Sequence, residues 1–332
     1  MDSTFRVFVD RSQLPGQLCQ EIHASLDRRE FNHKFLYDSV KQSEKWLSLH
    51  EAFSPARTDP KCLGTYTRAF REVAKSWESR KVAVIGLGCG GGHKEVRLVE
   101  LLVKAGVKSS FVAADVSLPL VLTAGLRFEA AKLGKEHFGK CQSWVLDLST
   151  TLDLRRSLRE IGAGTEPRLF TFFGMMPNFE PFEILPKLAL ALRPQDQLLV
   201  SANLAPGKDY EAGIQQVLPL YDNPQTRDWI ESAFSSLGFD PKAGRLDFEI
   251  SSGTWDPRLK RIQAVHTFSG PCPLKYDGVD YRFDEGERFR LFYSYRYSKA
   301  ILKETLAAHG LTFERSWLTP SGEEGVFLVR RT

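Results

Sequence analysis

Five glycines, Gly86, Gly88, Gly90, Gly91 and Gly92, fall between the apolar run VAVI and the amphipathic stretch HKEVRLVELLVKAG. A strand that turns on glycine into a helix offers unpaired N–H groups at the helix start and lets a ligand approach the main chain closely. That chemistry suits a nucleotide-like cofactor. Asp115 closes the next apolar run, SSFVAAD, where a carboxylate can accept hydrogen bonds from the ribose of an adenosine moiety. Asp147 and Leu148 close a third, SWVLDL, and can flank an adenine by hydrogen bonding and apolar contact. Gly86, Gly88 and Gly91 also satisfy GxGxxG, so the glycines alone fit a dinucleotide as well as S-adenosylmethionine, and a turn used only for packing fits them too.

Residues so placed need a sheet to carry them. The runs KVAVIGLG, SSFVAADVS, SWVLDLS, RLFTFFG and QLLVSANL read as five buried strands, with helix candidates near 92–105, 119–134, 152–161 and 180–192 between and after them. This alternation predicts a parallel sheet covered on both faces. RLFTFF is apolar on both faces, as a central strand requires. Met175 and Met176 lie beyond its C-terminal end, where ligands of such sheets bind, and are candidate substrate contacts.

Residues 1–78 carry helical spacing broken at Ser54-Pro55 and Asp59-Pro60, and read as a helical cap. After Pro206, residues 208–236 read as two helices flanking Tyr221-Asp222-Asn223-Pro224, and RLDFEIS, RIQAVHTF and RFRLFYSYRY read as strands. The chain ends as a helix over 298–309 and the strands LTFERSWL and GVFLVRR, which could return an antiparallel pair to the first sheet. The expected fold is α/β and Rossmann-like. It has a cap over 1–78, a core over 79–206 and 298–332, and an inserted α+β substrate subdomain over 207–297.

Composition narrows the field. With 332 residues, 42% hydrophobic and 26% charged, the chain has the balance of a globular protein. The net charge of +4 is dispersed without a block of like charges, so nucleic acid is not implied. No apolar run approaches the roughly 18 residues that span a bilayer, and the start of the chain lacks a signal-peptide pattern, which together predict a cytoplasmic protein. Cys19, Cys62, Cys89, Cys141 and Cys272 are odd in number and form no CxxC, which fits reduced thiols. Cys89 and His93 lack two further ligands nearby, so no metal is expected.

Several segments, spread over nearly the whole chain, resemble the histidine-specific N-methyltransferases of ergothioneine biosynthesis and their relatives that methylate prenylated tryptophan. FLYDSVKQSEKWLSLHEAFSPAR is similar to that family's N-terminal stretch, which implies that Tyr37 lines the cofactor site and Phe53 touches substrate. The family's glycine loop holds a lysine where Lys94 stands, and its second and third strands end like Asp115-Val116 and near Asp147. The resemblance implies a class I methyltransferase sheet, with S-adenosylmethionine held by Tyr37, Gly88, Gly90, Lys94, Asp115, Asp147 and Leu148. Lys94 either faces the cofactor's carboxylate or is solvated. The broader methyltransferase pattern often carries an acidic residue where Gly86 stands, so retention of the cofactor would fall to Asp115 and the backbone amides.

On the substrate side, GMMPNFEP matches the loop whose asparagine holds the amino and carboxylate groups of the acceptor, and Asn178 is the residue carried over, with Pro177 in place of a glycine. LYDNPQTRDWI is similar to a segment whose tyrosine contacts the amino acid, which implies that role for Tyr221; a half-buried helix-end aromatic is the alternative. Histidine-binding members carry a Glu-x-Ser element that recognises imidazole. In FRLFYSYRYSKA, Phe292 aligns with the glutamate and Ser294 with the serine; with the alignment shifted, Tyr293 or Tyr295 enters the pocket instead. An apolar ring cannot accept an imidazole N–H, and an unsatisfied polar group costs about 1–3 kcal/mol. The expected acceptor is therefore a small-molecule amine, an amino acid or a derivative, with a side-chain preference other than histidine's usual contacts.

Methyl transfer from a sulfonium to nitrogen needs an unprotonated lone pair and close approach. His33 and His266 are base candidates by residue type only. Two other classes stay open: a nicotinamide-dependent oxidoreductase, from the glycine spacing and Asp115, and a non-catalytic protein that keeps the fold and the cofactor.

Overall fold

A computed structural model describes residues 5–78, 80–151, 153–160 and 166–332. In chain order, β1 (Val7–Val9) precedes α1 (Pro15–Arg28), α2 (Val40–Phe53), α3 (Pro55–Thr58) and α4 (Pro60–Ser76). Next come β2 (Lys81–Leu87), α5 (His93–Lys104), β3 (Lys108–Asp115), α6 (Leu118–Ala130), β4 (Phe138–Val145), α7 (Leu154–Glu160), β5 (Arg168–Phe172), α8 (Pro181–Ala191) and β6 (Gln197–Asn203). The chain then runs through α9 (Tyr210–Val217), α10 (Pro224–Ser236), β7 (Gly244–Ser252), β8 (Lys260–Phe268), β9 (Cys272–Tyr276), β10 (Val279–Phe283) and β11 (Arg288–Arg296). It ends in α11 (Lys299–Ala308), β12 (Leu311–Leu318) and β13 (Glu324–Arg331). Of the helix expected over 152–161, Leu152 and Ile161 lie outside the described residues, as do residues 1–4 and Ser79 near the expected limits of the cap.

The central sheet has the order β1-β4-β3-β2-β5-β6-β13-β12, parallel from β1 to β6, with β13 antiparallel to β6 and β12 antiparallel to β13. The five strands read from apolar runs form its middle. Along β2, Val82 and Val84 pack on one face with Phe70 and Leu98, while Ala83, Ile85 and Leu87 pack on the other with Leu185 and Leu188. Burial on both sides is why these strands read as unbroken apolar runs. The order reverses at β2, between β3 and β5, and a crevice at the carboxyl ends of strands around such a reversal is where sheets of this kind bind ligands.

The proline breaks near residue 55 and residue 60 are helix starts. Proline stands in the first turn of α3 and of α4, where its missing N–H removes no helix bond, and the Asp59 side chain accepts from the N–H groups of Lys61 and Cys62. Beyond the first sheet, β7, β8 and β11 form a second, antiparallel sheet in the order β11-β8-β7, and β9 and β10 form a hairpin. An aromatic core of Trp229, Phe234, Phe268 and Phe289 joins α10 to these strands and to Phe31 and Phe35 ahead of α2. Backbone bonds fix β11 on two sides: Phe31 N donates to Arg290 O at 2.8 Å, and Tyr297 N donates to Asn203 O at 2.9 Å. Among the described residues no helix is long and apolar enough to cross a membrane.

Candidate active site

The glycine turn begins where β2 ends. Gly88 N and Cys89 N donate to Ala114 O of β3 at 2.8 and 3.1 Å, which folds the loop back over the neighbouring strand. Gly88 and Gly90 have φ of +65° and +52°, in the left-handed region that side chains disfavour. Space is short at both positions. A Cβ at Gly88 would run into the Met175 thioether, and one at Gly90 would come within 2.7 Å of the Trp46 ring. Gly90→Ala is therefore expected to weaken S-adenosylhomocysteine binding about tenfold or more, through left-handed strain of about 1–2 kcal/mol and displacement of Trp46; calorimetry checks it. At Gly86, a Cβ would come within 3.0 Å of the Phe111 ring and of Cys89 Cβ, so apolar packing takes the space a side chain would need.

Asp115, at the end of β3, is buried, and its carboxylate organises this loop: Oδ2 accepts from Gly90 N at 2.8 Å and Oδ1 from Ser117 N at 3.0 Å. Burial raises its pKa to about 6, against the lowering effect of those backbone bonds. Asp147 Oδ1 accepts from Ser149 N at 2.7 Å, and Oδ2 lies 3.2 Å from Lys34 Nζ, which also pairs with Glu21 Oε2 at 2.5 Å. Lys34 thus ties α1 to the end of β4. Lys94 Nζ donates to the Tyr66 hydroxyl at 2.9 Å and lies 3.6 Å from Glu324 Oε1.

A cavity of about 880 Å³ spans the carboxyl ends of β2 to β6 and continues under the second sheet. That is within the size range of small-molecule sites. Of the residues read from the sequence, Tyr37, Gly88, Gly90, Lys94, Asp115, Asp147, Leu148, Met175 and Asn178 line it. Their donors and acceptors fit an adenosine-bearing cofactor: a buried carboxylate at the end of β3, glycine-turn backbone lining the cavity, and Asp147 with Leu148 just beyond β4.

The remaining expected residues sit elsewhere. Met176 is fully buried in the core, because consecutive residues in the short 3-10 turn Met176–Asn178 face different ways. Phe53, the last residue of α2, is 47% exposed and does not line the cavity. Phe292 is buried in the aromatic core, its ring 5.3 Å from His33 and 5.9 Å from Trp229. The Tyr221 hydroxyl pairs with Ser294 Oγ at 2.9 Å and accepts from Arg296 Nη2 at 2.9 Å. Asn203 Nδ2, 3.4 Å from Ser294 Oγ, links that network to the cavity wall.

A register shift in β11 sorts these side chains. The strand is irregular between Arg290 and Phe292, which puts Arg290 and Tyr293 side by side with the guanidinium 5.1 Å from the ring centroid. Both line the cavity, whereas Phe292 and Ser294 face the other way. Bulges commonly re-aim side chains in this manner.

Neither histidine offers a base at the site. His33 Nε2 accepts from Tyr293 N at 3.0 Å, so Nδ1 carries the ring proton. Burial and then the charges of Arg290 and Arg261 push its pKa down to about 3. His266 packs against Phe234 and does not line the cavity. Sequence reasoning left out Lys34, Trp46, Glu180 and Glu324, all of which do.

The profile described as histidine-specific methyltransferase, SAM-dependent, matches residues 18–331. The chain is 24% identical over 330 residues to the histidine N-alpha-methyltransferase of Mycobacterium tuberculosis, covering 95% of each protein. It is 21% identical over 282 residues to the N-methyltransferase imqF of Aspergillus flavus, covering 83% of this chain and 73% of that one. Solved structures similar to it include the N,N-8-amino-8-demethyl-D-riboflavin dimethyltransferase RosA of Streptomyces davawensis, with a TM-score of 0.45, 12% identity, and coverage of 96% of this chain and 70% of that one.

Proposed function

The chain belongs to the histidine-specific, S-adenosylmethionine-dependent methyltransferase family, and from that premise we propose that it methylates the amine of a free amino acid or an amino-acid-derived small molecule without the family's usual imidazole contacts. One observation carries the reading: the glycine turn with Asp115 and the loop bearing Asn178 open into a single cavity, where Met175 packs against Gly88. A cofactor held by the first is then adjacent to an acceptor held by the second. Proximity of that kind supplies much of the rate of a displacement between bound partners.

In this proposal Asp115 binds the ribose hydroxyls, Asp147 and Leu148 flank the adenine, and the backbone at Gly88 and Gly90 admits the cofactor beside Tyr37. Lys94, held by Tyr66 and Glu324, faces the cofactor's carboxylate. The bound cofactor supplies an electrophilic methyl on its sulfonium. Asn178 holds the acceptor's head group, whose amine sheds its proton before transfer. Tyr221 and Ser294 act through the Asn203 side of the wall. The buried Phe292 leaves no carboxylate at that position for an imidazole. The proposed division of labour gives cofactor binding to residues 79–206 and 298–332, closure to the cap over 1–78, and acceptor recognition to 207–297, in a cytoplasmic enzyme.

Asn178→Ala is expected to lower kcat/KM for the acceptor about 10- to 100-fold, the effect of losing a hydrogen bond to a charged group, with S-adenosylhomocysteine affinity unchanged. Calorimetry with S-adenosylhomocysteine, followed by histidine and by tryptophan added to the complex, tests the reading. Histidine bound in preference to tryptophan would contradict the reading that the apolar side chain at position 292 leaves an imidazole without its usual partner.

A further inference from the structure

Glu180 follows Asn178 by two residues and stands at the entry of α8, yet its side chain does not cap that helix. The carboxylate turns to the second sheet instead. Oε1 accepts from Arg261 Nη1 at 3.0 Å and from the Tyr295 hydroxyl at 2.9 Å, and Oε2 lies 2.8 Å from the same hydroxyl. Tyr295 has one proton to give, so the two donors leave acceptor capacity on Oε2, since a carboxylate offers about four acceptor positions. The side chain is only 14% exposed, and it lines the cavity with Tyr293 and Arg290.

Arg261 and Tyr295 are themselves anchored. Arg261 Nε donates to Ser251 Oγ at 3.1 Å, its guanidinium lies 5.2 Å from the Tyr293 ring, and Tyr295 is buried. The carboxylate is thus fixed by two donors, although neither a helix cap nor a simple surface ion pair needs it there. Burial raises its pKa, and the Tyr295 bond with the charges of Arg261 and Arg290 oppose that rise. An incoming N–H or cation would find a partly desolvated, oriented acceptor.

Position 292, meanwhile, is apolar and turned into the core by the irregularity in β11. We infer that Glu180 is the acceptor-recognising carboxylate of this enzyme, and that its acceptors are amino acids or derivatives whose side chains carry a nitrogen donor, a ring N–H or a cationic N–H. The inference rests on the amine-acceptor reading above. Arg261 and Tyr295 act as positioning residues that hold the carboxylate toward such a donor.

The test uses the full chain, radiolabelled S-adenosylmethionine and matched acceptors: tryptophan against phenylalanine, and histidine and lysine against leucine. The wild type is expected to favour one or more nitrogen-bearing members by about tenfold or more in kcat/KM. Glu180→Gln keeps an oxygen for Tyr295 and Arg261 but loses the charge. It is expected to cut that preferred rate about 10- to 100-fold, while the rate with the apolar partner and S-adenosylhomocysteine affinity stay within about twofold. Tyr295→Phe, which removes one anchor, should raise KM for the preferred acceptor without changing cofactor affinity.

An equal loss for both members of each pair, or a parallel loss of cofactor affinity, would make Glu180 a structural tie and overturn the inference. Methylation of amines with no preference for a nitrogen-bearing side chain overturns this inference alone. Cofactor binding with no amine methylated overturns it together with the function on which it rests.

Discussion

Replacing Asp115 with alanine is expected to lower affinity for S-adenosylhomocysteine by at least about a hundredfold. Two losses combine. The first is the proposed pair of ribose contacts. The second lies within the protein, because Gly90 N and Ser117 N donate to this carboxylate and would be left without acceptors in a buried site. Each unsatisfied buried donor costs about 1–3 kcal/mol, and the glycine turn that Asp115 braces would loosen. Asp115→Asn, which keeps the volume and one acceptor, should lose less.

The same residue gives a pH test with a definite sign. Its folded pKa, about 6, is raised above the ordinary carboxylate value, so its contribution to stability is fully present below the unfolded pKa near 3.8 and is lost as pH rises through about 6. Cofactor binding runs the other way. If ribose recognition uses the ionised carboxylate, affinity falls as pH drops below about 6, approaching tenfold per pH unit. Calorimetry in the wild type should show that decline and Asp115→Asn should lack it; a flat profile in the wild type would remove Asp115 from the binding step.

Asp196→Ala is expected to cost about 3–5 kcal/mol of stability while sparing cofactor affinity in the protein that remains folded. Asp196 is fully buried just before β6, at the opposite end of the sheet from the cavity. Its Oδ2 accepts from Arg168 Nε at 2.9 Å and Nη2 at 2.5 Å, and Oδ1 accepts from Arg168 N at 2.9 Å. Arg193 N adds a bond at 2.9 Å. Burial alone would raise the carboxyl's pKa, but the bonds from Arg193 and Arg168 outweigh it and hold the group below its ordinary value. Its stabilisation is therefore present above pH ~4 and is lost as pH falls through the depressed folded pKa. Alanine would strand the Arg168 guanidinium, whose side chain is 5% exposed. Denaturant melts check the loss, and a cost below about 1 kcal/mol would show that the cluster behaves like a surface pair.

The middle of the fold was legible because its strands are buried on both faces. KVAVIGLG has no polar face to confuse with a helix, and the glycine turn marks where it meets α5. Three strands were not read individually, although residues 243–297 favour strands as a stretch. β1 is three residues long, too short for any period, and owes its place to pairing with β4. The hairpin of β9 and β10 mixes charged and apolar residues, CPLKY and VDYRF, around the tight turn at Asp277-Gly278, and its strands are largely exposed.

At the site, Asp115 and Asp147 could be placed from sequence because they close buried strands, where the chain's direction leaves little choice, whereas Tyr37, Lys94 and Asn178, which also line the cavity, were placed through the resemblance to the family. Side chains on β11 were harder. A period of two assigns inward positions only while the ladder is regular, and the shift between Arg290 and Phe292 exchanges the faces, so Tyr293 lines the cavity and Phe292 does not. Trp46 and Lys34 reach the cavity through tertiary packing of the cap, which helical spacing alone does not report.

The most direct test of the central claim is mass spectrometry of a reaction containing the purified chain, methyl-labelled S-adenosylmethionine and a mixture of amino acids. The label is expected on an amine nitrogen of at least one amino acid, with stoichiometric S-adenosylhomocysteine. Cofactor consumption with the label only on oxygen, carbon or sulfur acceptors would contradict the claim, as would tight cofactor binding with no amine labelled across amino acids and their prenylated derivatives.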